Sequence, residues 1–204
     1  MQNNLLSEFG NIDIYLFDQL LKGRFDNCEK IIDVGCGNGR NLVYFIKNGY
    51  QVFGIDKDAK AIENIKKTAL QLAPNYKIEN FIVAEIEKLP YDNACFDLVI
   101  CSAVLHFARN KEHFENMLHS IWRILKPGGY FFARLASDIG IETLVKEIDT
   151  TGTYLLPDGS IRFLANEQLL KSYTAKLNGD FYEPLKTTNV NNLRCMTTWC
   201  LRKK

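Results

Sequence analysis

Ile31-Ile32-Asp33-Val34-Gly35-Cys36-Gly37-Asn38-Gly39-Arg40, read as IIDVGCGNGR, is a β-branched run that breaks into alternating glycines. Its apolar part, Lys30–Val34, predicts a buried strand. Gly35, Gly37 and Gly39 let the backbone turn sharply and leave room for a ligand against it. Arg40–Lys47 predicts a helix, with Asn48-Gly49 as its stop signal. A helix starting beyond such a loop offers unpaired N–H groups and a positive dipole end.

Working outward, short apolar runs alternate with helical patterns. Ile12–Leu21 reads as an N-terminal helix ending near Gly23. Gln51–Ile55 reads as a second strand, closed by Asp56. Asp58–Leu72 reads as a helix capped by Asp58, with Pro74 past its end. Ile78–Ala84 and Asp97–Cys101 read as strands three and four. Lys111–Leu125 reads as a helix, Lys126–Gly129 as a tight turn, and Tyr130–Leu135 as strand five. Such alternation predicts an α/β fold with a Rossmann-like, doubly wound and mostly parallel sheet.

After Leu135 the pattern changes. Ser137–Ile161 is mixed and interrupted by Gly140, Gly152, Pro157 and Gly159; Asn166–Leu177 is again helical. Phe181–Val190 and Leu193–Leu201 read as an antiparallel hairpin joined at Asn191-Asn192, making seven strands. No linker breaks the chain, so one domain over residues 1–204 is expected. Residues 1–27 would form a helical lid, 28–135 a cofactor-binding core, and 136–204 an acceptor-side segment with the hairpin.

The totals set the class. Among 204 residues, 47% are hydrophobic and 24% charged, and the formal net charge is +1. That is ordinary globular composition, and it draws the chain to neither nucleic acid nor anionic lipid. Met1–Gly10 has no basic start followed by an apolar run, and no stretch is long and apolar enough for a membrane span, so a cytoplasmic location is expected. Six cysteines are present without C-x-x-C spacing, so reduced thiols and no metal site are expected.

Asp56 follows the glycines by about the 20 residues expected of an acid that binds ribose hydroxyls. The glycine loop and this acid suit either of two nucleoside cofactors. The ordered set of segments from Cys28 to Leu135 narrows them. Asp33-Val34-Gly35-Cys36-Gly37-Asn38-Gly39 is an acid-x-Gly-x-Gly-x-Gly loop, and Asp56 ends strand two. Ala84-Glu85-Ile86-Glu87-Lys88-Leu89-Pro90 approximates Gly-Asp-x-x-x-Leu-Pro, with Ala for Gly and Glu for Asp. Phe96-Asp97-Leu98-Val99, Leu105-His106 and Lys126–Gly129 follow at normal spacing. Together they resemble the class I S-adenosylmethionine (SAM)-dependent methyltransferases, especially the small type 11 group.

The resemblance implies SAM as cofactor and a set of residue roles. Gly35, Cys36 (through its backbone), Gly37 and Gly39 would surround the methionyl and ribose part. Asp33 would lie near the amino group. Asp56 would hold the ribose hydroxyls, with Lys57 beside the adenine. Glu85 would accept from the adenine amino group, and the Ile86 N–H would donate to the ring. Cys101 and Ser102 would face the sulfonium end through their carbonyls. His106, just past strand four, is the candidate general base, because imidazole titrates in the range such work needs; a His there also packs or closes the pocket. His113 and His119 read as ordinary helix residues. Tyr15, Asp18, Arg134 and the Ser137–Phe163 segment could touch the acceptor, and Arg24 could meet the SAM carboxylate. The acceptor is expected to be a small molecule, with no nucleic acid or membrane partner.

Two other functions share parts of the pattern. A NAD-dependent oxidoreductase would use the same loop and acid, but prefers G-x-G-x-x-G, and here the third glycine comes early. A SAM-binding module without turnover would keep every cofactor residue.

Overall fold

The computed structural model describes residues 5–204. The expected lid therefore begins outside the described residues. From there on it comprises α1 (Leu5–Phe9) and α2 (Ile14–Leu21), with Gly23 at φ 65° just past the second. The chain continues through β1 (Lys30–Val34), α3 (Val43–Lys47), β2 (Gln51–Asp56), α4 (Ala59–Leu72), β3 (Phe81–Val83), β4 (Phe96–Ser102), α5 (Lys111–Ile124) and β5 (Leu125–Ser137). It then runs through β6 (Lys146–Glu147), β7 (Thr153–Leu155), β8 (Ile161–Phe163), α6 (Glu167–Lys176), β9 (Gly179–Phe181), β10 (Lys186–Val190) and β11 (Arg194–Lys203).

The main sheet has the order β10-β11-β5-β4-β1-β2-β3, with β9 also paired to β11. β1 to β5 are parallel neighbours, and β11 joins β5 antiparallel. Side chains alternate faces along a strand, which divides the core in two. Ile32, Val34, Val99, Phe131 and Trp199 pack on one face with α5 and α6. Ile31, Leu98, Ile100, Phe132 and Cys200 pack on the other with α2, α3 and α4. Both faces are covered, so the parallel strands are largely apolar.

The expected Rossmann-like, mostly parallel α/β sheet is the fold observed, with five local differences, one being that the expected turn Lys126–Gly129 lies within β5. The helix after the glycine loop starts at Val43, not Arg40, because Gly37 and Gly39 are left-handed (φ 51° and 77°) and Leu42 N–H closes a tight turn on the Gly39 carbonyl. The helix start therefore lies four residues beyond the last loop glycine. The first residues of expected strand three form a 3₁₀ turn, Ile78–Asn80. The expected strand Phe181–Val190 is two strands, giving eight in the sheet instead of seven. It breaks at Glu183-Pro184, where Pro lacks a ladder N–H and the buried Glu183 carboxylate takes Lys22 at 2.7 Å and Lys186 at 3.0 Å. Last, the mixed segment holds a separate antiparallel sheet, β6-β7-β8. Its chain reversals use Gly152 and Gly159 at positive φ, and Phe163 stacks on Phe114 of α5 at 4.9 Å. The hairpin turn is as expected: Asn191 and Asn192 both have positive φ (51° and 57°), the backbone of a type I′ turn.

Candidate cofactor and acceptor site

Strand order reverses between β1 and β4, and at such a point the connections leave to opposite faces and open a crevice beyond the strand ends. Gly35 after β1 and Ala103 after β4 line a cavity of about 410 Å³ there. Asp56 and Lys57 from the end of β2, and Glu85 and Ile86 from beyond β3, line it too. Five of the expected cofactor residues thus come together.

Asp56 is held from two sides. Its Oδ2 accepts from the Gly37 N–H at 2.8 Å, and its Oδ1 from the Asp58 N–H at 2.9 Å. A carboxylate has about four lone-pair sites, so both oxygens keep acceptor capacity while their position is set.

Asp33 lies behind the loop, 1% exposed. Its Oδ2 accepts from Asn41 Nδ2 at 3.4 Å, and its Oδ1 is buried without a partner. Burial pushes the carboxyl up to about 7, against the Asn41 hydrogen bond and the charge of Arg40. An orphaned oxygen of this kind is matched by an ammonium group nearby. A held carboxylate at Asp56 suits paired hydroxyls as a buried one suits an ammonium group, so these residues fit SAM.

The three glycines differ in what surrounds them, and of the three Gly35 lines the cavity. A Cβ on Gly39 would lie 2.0 Å from Ile65 Cδ1, and one on Gly35 would lie 2.5 Å from Val104 Cγ2. These two admit neighbouring elements. A Cβ on Gly37 meets nothing within 4 Å, so Gly37 is where the loop leaves open space. Cys36 does not line the cavity: its N–H and that of Gly35 both donate to the Ile55 carbonyl at 2.8 Å, and burial pushes its thiol well above the usual range. Cys101 is fully buried beside Ala133 in the sheet. The Ser102 hydroxyl donates to Asp13 at 3.2 Å and accepts from Arg40 at 3.2 Å. Neither residue lines the cavity.

The sequence puts Asp13 within the Ile12–Leu21 helix; the structure starts that helix at Ile14 and makes Asp13 both its cap and the hub that docks it. Its Oδ1 caps α2 by accepting from the Tyr15 N–H at 3.0 Å. Its fully buried Oδ2 lies 3.4 Å from Arg40 and 3.3 Å from Arg134. Arg24 turns away, 3.8 Å from Glu183. On the far side of the cavity stand Phe107, Arg109, His113 and Met117, none of them singled out from sequence. His113 accepts from the Arg109 N–H at its Nδ1 (3.0 Å), so its Nε2 proton faces the Glu87 carboxylate. Spacing on α5 marked His113 only as a helix residue; its partner is 26 positions away.

His106 lines a second cavity, of about 400 Å³, with Arg134, Arg162 and Arg194. Ala103, at φ 62°, lines both cavities and marks where they adjoin. His106 Nδ1 accepts from the Ala136 N–H at 3.2 Å. Burial, helped by the Arg162 charge, lowers its pKa to about 4. The neutral ring therefore carries its proton on Nε2 and offers a donor, not a base, at that atom. Among the described residues no cluster of metal-ligating side chains occurs, and no helix is long and apolar enough to cross a membrane.

Fold and site define a class: an open α/β sheet with one pocket at its switch point and a second pocket beside it. A family model described as "Methyltransferase domain" matches residues 32–133, and the chain belongs to that family, in the class I SAM-dependent fold. It is 33% identical to the uncharacterized methyltransferase YodH of Bacillus subtilis over 58% of this chain, which is 45% of that relative. The chain thus spans about half the length of that curated relative. It is 27% identical to a ubiquinone biosynthesis O-methyltransferase of Coxiella burnetii, over 90% of this chain and 81% of that one. The fold matches that of a Burkholderia thailandensis 1,6-didemethyltoxoflavin N1-methyltransferase, solved with its acceptor and S-adenosylhomocysteine, with TM-score 0.71 and 15% identity. That match covers 98% of this chain and 81% of the other.

Proposed function

We propose that this protein is an enzyme that moves a methyl group from SAM to a small-molecule acceptor. The observation that carries it is the pair of adjoining cavities meeting at Ala103, one edged by Asp56 and Glu85. Asp56 takes the ribose hydroxyls, and Glu85 with the Ile86 N–H takes the adenine edge, with Lys57 alongside. Asp33 stands opposite the amino group, and Gly37 gives the cofactor room. Bound there, SAM supplies an electrophilic methyl: the acceptor's lone pair forms the new bond, the C–S electron pair stays on a neutral thioether, and the acceptor proton leaves to solvent.

The chain's own contribution is alignment and exclusion of water. Holding two reactants in line supplies roughly 7–11 kcal/mol of a barrier. His106 orients the acceptor through its Nε2 proton. Asp13 ties the N-terminal helical segment to Arg134, which lines the second cavity. The family match gives no support to the nicotinamide alternative.

Thermal unfolding tests the assignment. At a hundred times Kd a ligand adds about 2.7 kcal/mol, which for a chain of this size raises Tm by roughly 5–11 °C. A rise with SAM and S-adenosylhomocysteine but not NADH is expected. A rise with NADH alone, or none with saturating SAM, overturns it.

Asp33 makes the binding pH-dependent. Its pKa of about 7 in the fold exceeds the ordinary 3.8. Its contribution to stability is therefore full below 3.8 and is lost as pH rises through about 7. A bound ammonium reverses the preference and favours the carboxylate. At pH of about 6, binding of S-adenosylhomocysteine should release a fraction of a proton, seen by calorimetry in buffers of different ionisation enthalpy. Asp33→Asn should bind more weakly and release none. Equal proton release by the variant would remove Asp33 from this role.

A further inference from the structure

The second cavity has a charge surplus that methyl transfer alone does not require. Three guanidinium groups line it, from three strands far apart in sequence: Arg134 of β5, Arg162 of β8 and Arg194 of β11. Asp158 is the one carboxylate among the lining residues. Asp13 engages Arg134, but only through Nη1, and the buried Arg134 Nε has no partner. Arg162 donates to its neighbour's carbonyl at 2.6 Å and lies 5.0 Å over the Phe107 ring, so its fork is braced at the junction of the cavities. Ser160 and the Nε2 proton of His106 add neutral donors. The remaining wall is apolar, from Leu156, Val190 and Met196.

We propose that the methyl acceptor is a small organic oxyanion, held by Arg162 and Arg194 with its apolar body on Leu156, Val190 and Met196. The inference rests on the methyltransferase assignment and names the substrate class of that site. Guanidinium suits it because its planar fork meets two oxygens of a carboxylate or phosphate at once. Asp158 is held below the usual carboxylate range, first by Ser160 and then by the charges of Arg194 and Arg162, and as one carboxylate it offsets only part of the positive charge lining the cavity.

Benzoate, phenyl phosphate and the neutral benzamide test this by titration into the full chain, with and without S-adenosylhomocysteine. Benzoate or phenyl phosphate should bind at millimolar concentration and benzamide much more weakly; whichever anion binds tighter identifies the oxyanion. Arg162→Ala/Arg194→Ala should weaken anion binding by roughly ten- to a hundredfold, as lost charge-assisted hydrogen bonds do. Its affinity for S-adenosylhomocysteine should stay at the wild-type level, which also reports that the variant is folded. Equal binding of benzamide and the anions, no anion binding, or an unaffected double variant overturns the proposal. Failure of S-adenosylhomocysteine to bind the wild type instead strikes the methyltransferase assignment, and the anion titrations without it still decide the charge of the ligand.

Discussion

Asp56→Ala should lower the affinity for S-adenosylhomocysteine by about a hundredfold to ten-thousandfold. The carboxylate is fixed from below by the Gly37 and Asp58 N–H groups, so its free lone pairs need no reorganisation to meet a ribose. Two hydrogen bonds to a charged acceptor are worth about 1.5–3 kcal/mol each, and about 1.4 kcal/mol is a factor of ten. Asp56→Asn keeps one acceptor oxygen and should lie between the two. Because Asp58 is exposed and Gly37 partly so, water takes over the freed N–H groups and the ligand-free variant should melt close to wild type. Calorimetric titration checks the affinity. Binding by the alanine variant within a few-fold of wild type would take the ribose away from Asp56.

Gly39→Ala and Gly37→Ala should fail in different ways. At Gly39 the new methyl would sit 2.0 Å from the end of Ile65 and 2.7 Å from its Cγ1, in a part of the core where Ile65 is fully buried. Overpacking costs about 1–3 kcal/mol, and a left-handed backbone about 1–2 kcal/mol more for a residue with a Cβ. Together these should lower Tm by roughly 4–20 °C in a chain of this size. At Gly37 the backbone cost is the same kind, φ 51°, but no atom lies within 4 Å of the methyl. Its loss should fall on cofactor binding, with a smaller drop in Tm. Scanning calorimetry and ligand titration on the same two proteins separate them. Equal drops in Tm would mean that Ile65 yields freely, and wild-type binding by Gly37→Ala would mean that the open space is not the cofactor's.

Much of the fold was legible because it is written in local patterns. Lys30–Val34 reads as a buried strand from five consecutive residues, and the observed strand has those bounds. Asp58 reads as a helix cap and accepts from the Lys60 N–H at 2.9 Å. The Arg40–Lys47 helix was overextended because propensity does not register that two left-handed glycines and a tight turn consume its first residues. The small β6-β7-β8 sheet was missed because strands of two or three residues leave no periodicity; its glycines showed only that the chain turns.

The site divides along the same line. By itself the sequence determined the class of fold, the glycine loop, and the acid at the end of β2, since each is set by neighbours along the chain. The resemblance of Ala84–Pro90 to a family motif named Glu85 and Ile86, and both line the first cavity. Only the tertiary structure decided that a side chain would be blocked at Gly35 and Gly39 but not at Gly37, because clearance depends on Val104 and Ile65 from other elements. Only it placed His106 away from the first cavity with its Nδ1 engaged by Ala136, 30 residues on. Asp13 needed Arg134, 121 residues away, to become more than a cap. Arg134, Arg162 and Arg194 converge for the same reason. Charges on separate strands meet only when the sheets pack, and no local pattern records which of them will share a cavity.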